Sequence, residues 1–131
     1  MTNALFIYGT LMPGLRLEAE MHGARFIAAA QVSGRLVDVG RYPGLLRGEG
    51  QVSGEVYEVD DAHLARLDVV EAMVPGDRAA SQYWRDEVTV VGGPLQGQSV
   101  QTYIYNRPVT GCTPIPHGDY RRYIREVGRE S

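Results

Sequence analysis

A small α+β fold, with a mixed sheet curling toward a barrel and short helices at its periphery, is what this sequence predicts. Two observations carry that expectation. Apolar runs of strand length recur along the chain, separated by short glycine-rich connections, which is the pattern of a curved sheet. No strand, long helix, strand rhythm appears, so a doubly wound parallel sheet does not fit. The 131 residues contain no repeat, linker or low-complexity tract, and one domain spanning 1–131 is expected.

The elements follow in order. Residues 4–8 form a short apolar, aromatic-rich run that stops at Gly9 and reads as a buried first strand. The segment Gly9-Thr10-Leu11-Met12-Pro13-Gly14 turns, and Pro13 is suited to open a weak helix marked by Leu17, Met21 and Ala24. Residues 26–36 are extended, with Gly34 marking a bulge or a close approach. Glycines punctuate residues 37–51, and Pro43 disfavours helix at Tyr42, so a loop or edge turn is expected there. Residues 51–59 alternate as a strand does, and Asp60 or Asp61 can cap a helix running to about Glu71. Strands at 83–91 and 100–105, joined by a glycine-rich turn, precede a short outer helix near residues 118–127.

Composition excludes several classes of function. A net charge of −3 gives no electrostatic footprint for nucleic acid or an anionic membrane. All 13 basic residues are arginines, which removes Schiff-base chemistry and a Walker-type phosphate lysine. The N-terminal apolar run is too short for a signal segment, nothing approaches a membrane span, and the cytoplasm is the expected location. The lone Cys112 has no partner for an internal disulfide, and His22, His63 and His117 lack metal-ligand spacing. No metal or organic cofactor is expected, and the sequence does not set the oligomeric state.

Two places can carry chemistry. On the helix before residue 71, Leu64, Leu67 and Glu71 step by three and four residues. Glu71 therefore projects within about 20° of Leu64 and continues the apolar line. Burial raises a carboxylate's pKa and makes it a competent base near neutral pH. Alternatively, the helix ends early and leaves Glu71 solvated. Asp68 lies about 40° to the other side of Leu64, so helical geometry does not separate the two acids. The turn Tyr8-Gly9-Thr10-Leu11-Met12 is the second place, because a glycine after a buried strand lets backbone amides approach an anionic group. A plain strand-to-helix turn reads the same way.

The ordered motifs resemble those of the gamma-glutamylcyclotransferase-like (AIG2-like) family. Tyr8-Gly9-Thr10-Leu11 is similar to its YGTL signature, Tyr42-Pro43-Gly44 to its tyrosine-proline turn, and Gly54-Glu55-Val56-Tyr57 to its central strand. Leu67-Asp68-Val69-Val70-Glu71 resembles LDxxE, Tyr83-Trp84-Arg85 resembles YxR, and Gly118-Asp119-Tyr120 resembles a closing GDW or GDY element. The likeness spans about residues 4–124. Two departures stand out: Ala72 occupies the position where the family usually has glycine, and residues 73–80 form a longer insert.

The resemblance implies an enzyme that cyclises a small-molecule gamma-glutamyl amine or amino acid, releasing 5-oxoproline and the free amine. It implies Glu71 as the catalytic acid-base, with Tyr8, Gly9, Thr10, Leu11, Met12 and Tyr83 binding substrate and Arg85 supporting the site. Another amide-cleaving or acyl-transferring enzyme, or a non-catalytic metabolite-binding protein, fits the same residues.

Overall fold

The computed structural model describes residues 1–129. Six strands, β1 (Thr2–Ile7), β2 (Arg25–Asp38), β3 (Pro43–Asp60), β4 (Tyr83–Gly92), β5 (Ser99–Tyr105) and β6 (Thr113–Ile115), are joined by helices α1 (Asp61–Val70) and α2 (Tyr120–Val127). The strand pairings close on themselves. β2 pairs with β3, β3 with β1 and β4 with both β2 and β5, all antiparallel, while β1 meets β5 in parallel. The short β6 adds to β2 outside that circuit. The result is the small barrel-like mixed sheet with peripheral helices that the sequence predicts. The core holds wholly enclosed side chains on both faces of the sheet: Phe6 and its cross-strand partner Val56 share one face, and Leu5, next to Phe6 on β1, is equally enclosed on the other.

The longest departure from the sequence reading is residues 37–51. They are not a loop: β2 continues to Asp38 and β3 begins at Pro43, so the two strands form one long hairpin with Asp38 opposite Pro43. Proline is tolerated as the first residue of a strand, and the glycines serve close approach rather than irregularity. A methyl on Gly44 would lie 2.7 Å from Cβ of Tyr105, on a crossing strand. Gly34 meets both halves of its expectation. The register slips between Ser33 and Arg35, and a methyl on Gly34 would lie 2.7 Å from the Leu46 carbonyl oxygen.

The helix expected after Pro13 is also corrected. Residues 13–24 are turns, with a single 3-10 turn at Glu18–Met21. Gly14 and Gly23, at φ 83° and 94°, reverse the chain at either end and leave no length for an α-helix.

α1 begins as the sequence suggests. The Asp60 carboxylate accepts the His63 amide at 2.7 Å, satisfying one of the orphan donors of the first turn. His63, Leu64, Leu67 and Asp68 are buried. The helix stops at Val70, one residue short of the expected end. Glu71 is its C-cap, and Ala72 turns to φ 54°. The amides of Ala72 and Met73 then reach back to the carbonyls of Val69 and Asp68, at 3.0 and 2.9 Å. That pair of bonds is a Schellman closure, which requires a left-handed residue at the position of Ala72.

Candidate active site

One cavity of about 210 Å³ opens where the end of β1, the β2–β3 hairpin and the end of α1 converge. β1 leads directly into it, through Phe6, Ile7 and Tyr8. The Tyr8 hydroxyl donates to the Tyr103 carbonyl at 2.6 Å and accepts the Leu45 amide at 3.2 Å, which ties β1 to β5 and β3 at the cavity wall. Burial, then the nearby Glu71 charge, pushes its pKa well above the ordinary phenol value, so Tyr8 stays protonated.

The turn after Tyr8 is held by its own backbone. The Met12 amide donates to the Gly9 carbonyl at 3.0 Å, and the Leu17 amide to the Thr10 carbonyl at 2.8 Å. Gly9, Thr10 and Leu11 line the cavity. Their three successive amides have no protein acceptor among the described residues. Gly9 also meets a packing demand that the sequence reading did not include. A methyl on it would lie 2.7 Å from Cγ of Pro43, so the glycine allows the hairpin to close against the turn. Met12 does not line the cavity, contrary to its expected place among the substrate-binding residues. It is buried in the core, and its amide is spent on closing the turn.

Glu71 lies at the end of α1 and lines the cavity. It is half-buried, and its carboxylate makes no hydrogen bond or ion pair with protein among the described residues. Burial alone raises its pKa from 4.5 to about 7. Of the two acids that helical spacing left unresolved, this is the uncompensated one. Asp68 turns instead to β4 and β5. It accepts two hydrogen bonds from Arg85, at 2.8 and 3.0 Å, and one from the Tyr103 hydroxyl at 2.6 Å. Arg85 lies behind the cavity wall rather than in it, and its hydrogen bonds with Asp68 raise its own pKa. Tyr83 lines the cavity with its ring, while its hydroxyl donates to the Pro43 carbonyl at 2.6 Å.

The sequence reading missed the rim. Arg16, Leu17 and Gln82 line the cavity beside Tyr42, and Gln82 donates to the Tyr42 hydroxyl. Tyr42 was legible as part of a motif, but no local signal brings residue 16 or 82 to the same opening. Among the described residues no group of three or more His, Cys, Asp or Glu side chains could hold a metal ion. No described helix is long and apolar enough to cross a membrane.

The model of the family described as "Gamma-glutamyl cyclotransferase, AIG2-like" matches residues 5–122. The chain belongs to that family. This cyclotransferase-family protein is 32% identical to the gamma-glutamylcyclotransferase family protein YtfP of Escherichia coli K12 over 117 residues, 88% of this chain and 94% of that one. It is 40% identical over 107 residues to the gamma-L-glutamyl-butirosin B gamma-glutamyl cyclotransferase of Niallia circulans, covering 79% of this chain and 67% of that protein. The solution structure of E. coli ytfP superimposes with a TM-score of 0.65, covering 89% of this chain and 95% of that one. An AIG2-like protein from Mus musculus gives 0.71 at 27% identity, covering 91% and 88%.

Proposed function

We propose that this family member cyclises a gamma-glutamyl amide by intramolecular aminolysis. The substrate's alpha-amine attacks its own gamma-carbonyl carbon, and Glu71 takes a proton from that amine. The carbon–nitrogen bond of the amide then breaks, Glu71 returns the proton to the leaving nitrogen, and the products are 5-oxoproline and a free amine. Atoms and charge balance with no water, metal or second substrate.

The observation that carries the reading is the state of Glu71. A carboxylate with no protein partner, lining a cavity, with a pKa raised to about 7 by burial, is matched to both halves of the proton transfer. The amides of Gly9, Thr10 and Leu11 are suited to the alpha-carboxylate or to the oxyanion that forms on the attacked carbonyl. Tyr8 and Tyr83 supply ring walls, since their hydroxyls are already committed to backbone carbonyls. Rigid walls favour the folded conformer that ring closure needs. Arg85 acts at one remove, holding Asp68 and with it the hydroxyl of Tyr103, whose residue also lines the cavity.

The test is release of 5-oxoproline from a panel of gamma-glutamyl amino acids, peptides and amines, in single turnover at high enzyme concentration. Wild type should release it, and Glu71→Gln should lose about 10²–10⁴-fold in rate while remaining folded. Free glutamate in place of 5-oxoproline would select a hydrolase. Binding without turnover would select a metabolite-binding protein. A fully active Glu71→Gln protein would exclude Glu71 as the base.

A further inference from the structure

The interior of the cavity is nearly free of charge, and its rim is not. Among the described residues lining it, only Glu71 and Arg16 are formally charged. Asp68 and Arg85 neutralise one another behind the wall. Arg16 is exposed on the turn that follows the Gly9–Met12 segment. Its one protein hydrogen bond runs from Nη2 to the Arg41 carbonyl at 3.3 Å, across to the tip of the β2–β3 hairpin. It has no carboxylate partner among the described residues. A guanidinium tethered through one nitrogen to a carbonyl keeps its other N–H groups for an external acceptor.

A gamma-glutamyl substrate has two halves, and the reaction assigns them to different depths. The reacting carbonyl must reach Glu71, so the glutamyl half occupies the interior and the amine half lies toward the opening. We propose that Arg16 makes that opening a subsite for an acidic amine half, so that the preferred substrates are gamma-glutamyl amino acids or peptides with a free carboxylate. A cationic amine half, such as a polyamine or an aminoglycoside, meets a like charge there, and no carboxylate among the described residues lines the opening beside Arg16 to hold it. Tyr42 and Gln82 complete the opening with polar, uncharged groups. The inference rests on the cyclotransferase reading and adds to it the sign of the leaving group.

Three probes share the glutamyl half and differ in the charge of the other: gamma-glutamylalanine, gamma-glutamylethylamide and gamma-glutamylputrescine. Their affinities are measured by calorimetry on the Glu71→Gln protein, which removes turnover from the readout, and again with Arg16→Met added. The expected order is anionic, then neutral, then cationic, with the anionic probe favoured over the neutral one by about five- to tenfold. Arg16→Met should abolish that preference, weakening the anionic probe alone. Equal weakening of all three would place Arg16 on the glutamyl half and overturn the proposal. A preference for the cationic probe, or one unchanged by Arg16→Met, would overturn it as well. Failure of all three to bind would remove the cyclotransferase reading and this inference with it. Binding without charge preference would remove the inference alone.

Discussion

Glu71 is a carboxylate whose folded-state pKa, about 7, lies above the ordinary 4.5, and two consequences run in opposite directions with pH. In the proposed role of base it must be ionised, so kcat/KM on a good substrate should rise through an apparent pKa near 7, and a pH–rate profile checks this. Stability should do the reverse. Between pH 4.5 and 7 the folded state holds a proton that the unfolded state has released, so stability falls as pH rises through that window. The full shift corresponds to about 3 kcal/mol, less the part relieved by water at the open mouth. Thermal melts of wild type and Glu71→Gln should therefore coincide near pH 4 and diverge above pH 7, with the glutamine protein the more stable. Asp68 belongs to the opposite category. Asp68→Asn removes the ionic partner of the part-buried Arg85 guanidinium and should cost about 1–3 kcal/mol in denaturant unfolding. Its effect on chemistry should be the smaller one, exerted through Tyr103. Gly9→Ala has to displace Pro43, which itself lines the cavity. It should cost about 1–3 kcal/mol of stability by overpacking and weaken substrate binding together, in a melt and a titration on the same variant.

At the scale of the element, the end of α1 decides where Glu71 stands. Helical periodicity carries its line of apolar positions through residue 71, but the helix proper ends at Val70 and the Schellman closure takes over. The closure needs φ > 0 at Ala72, where a side chain's Cβ crowds the backbone. This gives a physical reason for the glycine that the family resemblance places at this position. Alanine adopts the same conformation here at a cost. Ala72→Gly should raise stability by about 1 kcal/mol, read as a higher Tm, and leave the activity of Glu71 in place. The insert that follows is pinned rather than loose. The buried Ser81 hydroxyl accepts the Val74 amide at 2.8 Å, and Arg107 donates to the carbonyls of Ala79 and Ala80.

For the whole molecule, the notable long-range tie runs from the C-terminal segment to the cavity wall. Asp38, at the end of β2, accepts hydrogen bonds from the Tyr123 hydroxyl and from Arg129, at 2.8 and 2.9 Å. Arg129 also donates to the Gly40 carbonyl at 2.7 Å. Burial pushes the Asp38 carboxyl upward, but these bonds outweigh it and hold its pKa below the ordinary value. The hairpin tip so clamped carries Tyr42 and Pro43, both of which line the cavity. Arg129→Met should lower amide-exchange protection at the tip and raise KM more than it lowers kcat. A loss of global stability with KM unchanged would make the clamp merely structural.

The sequence by itself determined the barrel-like class, most strand positions, the cap of α1 and the two segments, 8–11 and 71, that meet in the cavity. These are written in local periods, in turn residues and in motifs that a single stretch of chain displays. Tertiary structure decided the rest. Residues 37–51 read as a loop because glycine and proline disfavour isolated strands, yet they pair along a neighbour whose close approach demands glycine. Asp68 and Glu71 are nearly equivalent on a helical wheel. They were separated only when β4 brought Arg85 to one of them and a cavity to the other. Arg16 and Gln82 are 66 positions apart, and no local pattern relates them to the same opening. Periodicity tells which side of an element faces inward, but the partners of a charge are set by which distant strands the closed sheet places beside it.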